Sequence, residues 1–311
     1  MSSINPDSIW AIAKKDFQDA VRSWMFIGLS VFFFTLLGGI TLLLAWAEPE
    51  LTGIEGAGTE ILIGFVSQIT RLVIPLIALL LGWKSIAGER ESGSMKVLLS
   101  LPHSRWDVLL GKWLGRSGVL TGALIIGFML AAVVVAVTFG DFDVLQYGGL
   151  LGLSIIYGLA YISIAVALSS VTRSSTIAGA AMVGVFVLFY VIWNTLSAFY
   201  QLLAQRGVPF FEMVEYTFTV EFNGEEIEQV GQRPDDWMMF VMNLDPGEAY
   251  ARALSLVADT GFIQTQAAVE DIMFEGSIPF FLQDWFVFMI LLAWIVIPMG
   301  IALYRFDRVD L

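Results

Sequence analysis

Residues 88–112, GERESGSMKVLLSLPHSRWDVLLGK, bring carboxylates, guanidinium groups, lysines, serines and the chain's one histidine into a single short stretch. Such residues could exchange protons or hold a metal if partners of the right kind stood nearby. Those partners are missing. A lone His103 rules out any site that needs several imidazoles, and the absence of cysteine removes disulfides and thiolate ligands. No G-x-x-x-x-G-K-[ST] phosphate loop occurs, so the chain is not an ATPase by that route, and no H-E-x-x-H or G-x-S-x-G supplies a metal or nucleophile for hydrolysis. No catalytic residue, metal site or cofactor is therefore assigned to this chain. The stretch has to be understood from the elements that hold it.

Those elements are apolar. Hydrophobic residues make up 57% of the 311 positions and the mean hydropathy is +0.78, so spans of bilayer length are the first thing to seek. Six are found, at 24–46, 61–83, 113–139, 147–171, 176–198 and 285–304, each near or above the ~20 residues a crossing helix needs. Six spans put both termini on one side. Twelve lysines and arginines fall on that side and only Arg206, Arg233 and Arg252 on the other, which predicts that both termini are cytoplasmic in a multi-pass protein of the cell membrane. All but eight of the 29 acidic residues fall outside, and an exterior this acidic disfavours anionic partners, nucleic acid among them.

The remaining organisation follows the same patterning. Residues 1–23 place Ile9, Ile12, Ala13, Phe17, Ala20 and Val21 near one helical face, predicting an amphipathic helix on the membrane surface. Residues 24–198 carry spans one to five, and 285–311 the sixth span and a tail. Between them, 199–284 is too long for a plain connection and is expected to be a small α+β external domain. TFTVEF and EEIEQV flank Asn223-Gly224 and predict a hairpin over 217–230; helices are predicted at 235–243 and 247–259. Gly111, Gly115, Gly118 and Gly122 recur at three- or four-residue steps, as do Gly148 and Gly152, so the third span is expected to pack closely against protein, within one subunit or between two.

Within the opening stretch, the second span's helical pattern continues to Gly88–Ser94, with Glu89, Arg90 and Glu91 expected to face water. Gly93-Ser94 breaks it. Met95, Leu98 and Leu99 then form a short apolar stripe that Pro102 ends, and Ser104 with Asp107 forms a capping box for a helix running through Lys112 into the third span. A short helix over about 94–102, apolar on one side and framed by charge, fits either a protein partner or the lipid headgroups.

Glu89, Glu91-Ser92-Gly93, Leu98-Leu99-Ser100, Pro102, Ser104-Arg105 and Leu110-Gly111-Lys112 resemble the E-x-E-x-G, L-L-S-x-P-x-S-R, L-G-K pattern after the second span of type-2 ABC exporter permeases, in particular the branch of the nitrous-oxide-reductase maturation permease. The resemblance covers nearly the whole chain. Asn243-Leu244-Asp245-Pro246 with Ala249-Tyr250 also looks like that family's N-P-x-x-A-Y element, with Asp245 interrupting Asn and Pro. The resemblance implies an all-α polytopic permease with six transmembrane helices, paired with a second permease copy as homodimer or heterodimer. It also implies a coupling helix that docks on a separate ATP-binding cassette subunit holding ATP and Mg. The coupling residues it implies are Glu89, Glu91, Gly93, Met95, Leu98, Leu99, Pro102, Arg105 and Lys112. The alternative is a membrane-anchored assembly or partner-binding protein without transport.

Two further features stand outside the motif. Arg71 lies inside the second span, 13 residues before Lys84 or about 20 Å of helix, and is expected to snorkel to the outer surface. Met238, Met239 and Met242 cluster outside the membrane; thioethers suit Cu(I), but without histidine or cysteine the favoured reading is an apolar packing face.

Overall fold

The computed structural model describes residues 4–22, 24–47, 62–94, 104–139, 143–222 and 225–306. Among these residues six helices are long and apolar enough to cross a membrane: Phe26–Ala47, Ile63–Glu91, Arg105–Phe139, Val144–Val171, Ser175–Gln205 and Asp284–Phe306. Each matches one predicted span. The third differs most at its start: it begins at Arg105 rather than at Trp113, because a cap and not hydropathy sets where the helix starts.

In chain order the elements are α1 (Pro6–Val21), α2 (Trp24–Ala47), α3 (Ser67–Gly82), α4 (Ala87–Glu91), α5 (Arg105–Phe139), α6 (Val144–Val171), α7 (Ser175–Phe186) and α8 (Trp193–Gln205). A wide π turn, Leu62–Val66, leads into α3, and another, Val187–Ile192, joins α7 to α8 within the fifth span. The insertion holds β1 (Met213–Phe222), β2 (Glu225–Pro234), α9 (Asp236–Met242), α10 (Pro246–Ala253) and α11 (Gly261–Met273), and α12 (Asp284–Phe306) closes the chain. The helix at 261–273 was not foreseen from the sequence.

The fourth span is the centre of the bundle and the fifth its periphery: 67% of the fourth span's apolar window is buried, against 17% of the fifth's. Close approach to the third span comes from its glycines. A Cβ at Gly111 would lie 2.7 Å from that of Ile12, and one at Gly115 would lie 2.8 Å from that of Asp16, so only hydrogen fits. Gly118 faces Phe17 and Gly122 faces Phe26, so α1 and α2 run in the same direction as α5. The glycine ladder is thus filled from within the subunit. The apolar stripe of α1 is spent on α5, with Ile12, Ala13 and Ala20 buried, and not on headgroups alone. Gly148 and Gly152 have nothing within 4 Å among the described residues, so the second glycine pair makes no such contact.

At the far end β1 and β2 pair antiparallel from Met213↔Pro234 to Phe222↔Glu225, a longer ladder than the 217–230 expected. The connecting Asn223-Gly224 lies outside the described residues. The Tyr200 hydroxyl donates to the Glu212 carbonyl at 2.6 Å and accepts from the amides of Glu212 and Asp235, so one side chain at the end of the fifth span grips both strands where the ladder begins, beside the Met213↔Pro234 pair. A separate small core of Phe274, Phe281 and Leu282, with Met239 and Phe240 against it, supports the insertion.

Candidate functional site

Of the motif residues, Met95, Leu98, Leu99 and Pro102 lie outside the described residues; Glu89, Glu91, Gly93, Arg105 and Lys112 can be placed. They lie at the end of the bundle that carries both termini. The second span bends there between α3 and α4, and Ser169 of α6 pins the bend: its hydroxyl donates to the Trp83 carbonyl at 2.8 Å and accepts from the amides of Ile86 at 3.1 Å and Ala87 at 3.0 Å. Ser169 is fully buried, so these bonds replace water that cannot reach the bend. After α4 the chain turns at Gly93, whose φ of 75° lies in the left-handed region that glycine enters without strain.

The charges on α4 do not simply face water, as the sequence suggested. Each reaches a different neighbour. Glu89 Oε1 lies 2.5 Å from Lys112 Nζ on α5, and the same ammonium lies 2.9 Å from Asp16 Oδ1 on α1. Arg116, one turn beyond Lys112, completes the chain with Nε 3.0 Å from Asp16 Oδ2. Arg90 donates from Nη1 to the Thr172 carbonyl at 3.0 Å and lies over the Phe306 ring at 5.1 Å, touching both the junction of spans four and five and the end of the sixth. Glu91 accepts from the Ser175 amide at 3.1 Å and from its hydroxyl, and Trp83 Nε1 donates to the Ser175 carbonyl, so the fifth span starts against the second.

The return side is braced in the same way. The Asp107 amide donates to Ser104 Oγ at 3.0 Å and the Ser104 amide donates to Asp107 Oδ2 at 2.9 Å, the reciprocal capping box that the sequence predicts. Asp107 Oδ1 also accepts from the Asn5 amide at 3.0 Å. One carboxylate therefore sits at the N-termini of two parallel helices, α1 and α5, where both dipoles favour negative charge. Arg105 Nη1 donates to the Phe306 carbonyl at 3.0 Å, tying the start of the third span to the end of the sixth. Both edges of the 95–103 segment are thus fastened to the bundle, and α1 is fastened with them. Among the described residues nothing in this junction is arranged as nucleophile, base and oxyanion donors around a common point; the groups neutralise and orient one another.

Asp16, Arg116 and Ser169 were not singled out from the sequence, and Arg90 was expected only to face water. A signal existed for Asp16, which sits on the same helical face as the apolar Ile12 and Ala20, and for Lys112 and Arg116, four residues apart on a face otherwise lined by glycine. A carboxylate on an apolar stripe and two cations on a glycine stripe call for each other.

The opposite end corrects the reading of Arg71. Its guanidinium does not snorkel to bulk solvent but meets the insertion: Nη2 lies 2.7 Å from Glu248 Oε2 and 3.3 Å from Asp245 Oδ2. The interrupting Asp245 has a local task as well, since its Oδ2 accepts from the Glu248 amide at 2.8 Å and so caps α10 behind Pro246. The methionines pack: Met238 is buried, and Met239 lies against the small core of the insertion.

Six helices long and apolar enough to cross a membrane among the described residues, braced at one end on both sides of residues 95–103 and carrying a folded insertion at the other, define a multi-pass membrane protein. The sequence model of the ABC-2 family transporter proteins matches residues 10–311. Two relatives, each named "Probable ABC transporter permease protein NosY", come from Pseudomonas aeruginosa and Stutzerimonas stutzeri. The first is 29% identical over 191 residues and the second 32% identical over 193; each alignment covers 60% of this chain and 68% of the relative. The chain belongs to the ABC-2 family of transporter proteins: it is a transmembrane permease subunit of an ABC transporter and not itself an enzyme.

Proposed function

We propose that this permease forms the translocation path of an exporter in the cell membrane, pairs with a second permease copy, and draws its energy from a separate ATP-binding subunit that docks on the segment near 94–102. ATP and Mg belong to that subunit. Both termini face the cytoplasm in this reading, as the split of twelve basic residues against three favours. The observation that carries the proposal is the brace around the segment. Glu89 and Glu91 on its leading side, and Arg105 and Asp107 on its trailing side, connect to α1 and to spans three, five and six. A push on the segment is therefore shared by most of the bundle at once, which suits a mechanical input.

In this reading Met95, Leu98 and Leu99 enter a groove of the ATP-binding subunit, with Gly93 and Pro102 limiting the short helix. Replacing Leu98 by Asp places an unpaired charge in that contact, enough to break a modest interface. The expected result is a permease that reaches the membrane at wild-type level but no longer co-purifies with its ATP-binding subunit. If Leu98→Asp leaves the complex and its ATP hydrolysis unchanged and only loosens membrane association, the segment lies in the headgroups. An anchoring or assembly role without transport then gains over the coupled permease.

A further inference from the structure

Arg71 lies inside the second span, and it is committed to the insertion. Its acidic partners are differently placed. Asp245 is almost wholly buried, and its Oδ1 has no hydrogen-bond partner among the described residues; burial pushes its carboxyl above the usual range, against the pull of Arg71. Glu248 is about one-third exposed and stands between two cations, 2.7 Å from Arg71 and 3.7 Å from Arg252, while Arg252 also holds Glu270 at 2.6 Å. Glu248 thus has a second partner ready on its own helix. The backbone approaches as closely as chemistry allows, for a Cβ at Gly247 would lie 2.9 Å from Arg71 Nε. Tyr157 of α6 completes the clamp. Its hydroxyl donates to the Arg71 carbonyl at 2.9 Å, and its ring stacks on Tyr250 of α10 with 4.6 Å between centroids.

Beside these contacts lies a cleft of about 340 Å³ between the second span, the outer part of the fifth and the insertion, lined by Arg71, Asn194, Ser197, Gln201, Met242 and Glu248 among others. The size is within the range of small-molecule sites. The same span that carries Arg71 ends, at the other side of the bundle, in Glu89 and Glu91. One span, bent between α3 and α4 where Ser169 pins it, therefore connects the braced junction to α10.

We propose that Arg71 is the positioning residue through which movement of the second span reaches the insertion. In the state seen here it latches α10 through Asp245 and Glu248 and holds the cleft's outer wall in place; when the span shifts, the guanidinium withdraws, Glu248 passes to Arg252 and α10 is released. A buried ion pair suits this task better than an apolar contact. Its attraction is offset by the cost of keeping the charges from water, so separation into a polar cleft exchanges one set of partners for another. Glu248 already has both cations within reach, Arg71 at 2.7 Å and Arg252 at 3.7 Å, and exchange between them gives the latch the two arrangements that a transmitting element requires.

The inference rests on the ATP-driven reading above, and one experiment separates the two. The full permease, assembled with its ATP-binding subunit in lipid nanodiscs, is followed by amide hydrogen exchange over 246–253, without nucleotide and trapped with ATP and vanadate. Wild type is expected to be protected without nucleotide and to exchange about tenfold faster when trapped. Arg71→Gln is expected to exchange fast in both states while still binding the subunit and hydrolysing ATP; Arg71→Lys, which keeps the charge, restores part of the nucleotide dependence. Because the chain has no cysteine, Arg71→Cys with Glu248→Cys can be joined by a cleavable bis-thiosulfonate. That tether should hold 246–253 protected in both states until it is reduced. If the wild-type complex hydrolyses ATP and 246–253 exchanges equally in both states, the latch is wrong and the coupled permease stands. If no ATP-binding subunit is recruited, both readings fail together. Should Arg71→Gln not reach the membrane, the wild-type comparison still decides.

Discussion

Lys112 stands between two carboxylates, Asp16 on one helix and Glu89 on another, with its own side chain only 10% exposed. Removing the ammonium leaves Glu89 without its cation and Asp16 with Arg116 alone. Breaking a buried pair from one side costs more than the pair contributes, because the remaining charge has lost its partner but not regained water. Lys112→Met is therefore expected to destabilise the purified permease by about 3 kcal/mol, read from chemical unfolding in detergent, whereas the double variant Glu89→Leu, Lys112→Met, which leaves Asp16 paired with Arg116, should recover much of the loss. Equal stability of Lys112→Met and wild type would mean that the brace holds nothing. The motif pointed to Lys112 and Glu89 from the sequence, but not to the fact that they meet each other, since 23 positions of chain and a turn lie between them.

At the scale of elements, α1 is the helix whose place was least legible. Its amphipathic pattern is satisfied equally by headgroups and by a grooved helix, and hydropathy does not choose between them. The glycines of α5 choose, because they lower the surface of that helix enough for the α1 backbone to approach. A bulkier residue at Gly115 must push against the Asp16 Cβ and carboxylate, so Gly115→Val is expected to cost about 2 kcal/mol and to lift α1 from α5. Hydrogen exchange should then rise over 6–21 while the mass of the detergent-solubilised assembly stays the same. A changed assembly mass with an undisturbed α1 would move the glycine ladder to an interface between copies. The hairpin was legible in a different way: alternation and Asn-Gly are local signals, and they survive whatever the hairpin packs on. Its full length was not, because Tyr200, which holds both strands at the Met213↔Pro234 end, belongs to another element.

For the whole molecule, the charge bias assigns sides, and labelling can read the assignment. Ser104 would have been the natural probe on the terminal side, but it is buried in the capping box and a cysteine there would report on the cap. Ser94 and Ser277 are exposed and lie at opposite ends of the bundle. With both termini cytoplasmic, Ser277→Cys is labelled by a membrane-impermeant maleimide from outside intact cells and Ser94→Cys only after lysis. The reverse pattern would overturn the orientation and with it the side on which an ATP-binding subunit could dock.

Number and position of the crossing helices, the hairpin, the capping box at Ser104 and the absence of catalytic motifs were all determined by sequence, because each depends on hydropathy or on residues within a few positions of one another. The contacts at the two ends of the second span were decided only by the tertiary structure. Glu89 with Lys112 and Asp16, and Arg71 with Asp245 and Glu248, join groups from different helices; for Arg71 the partners lie more than 170 positions away. A charge inside an apolar run states that a partner must exist, since its burial alone is costly. Which partner it finds depends on how the helices cross, and that is set by packing over the whole bundle.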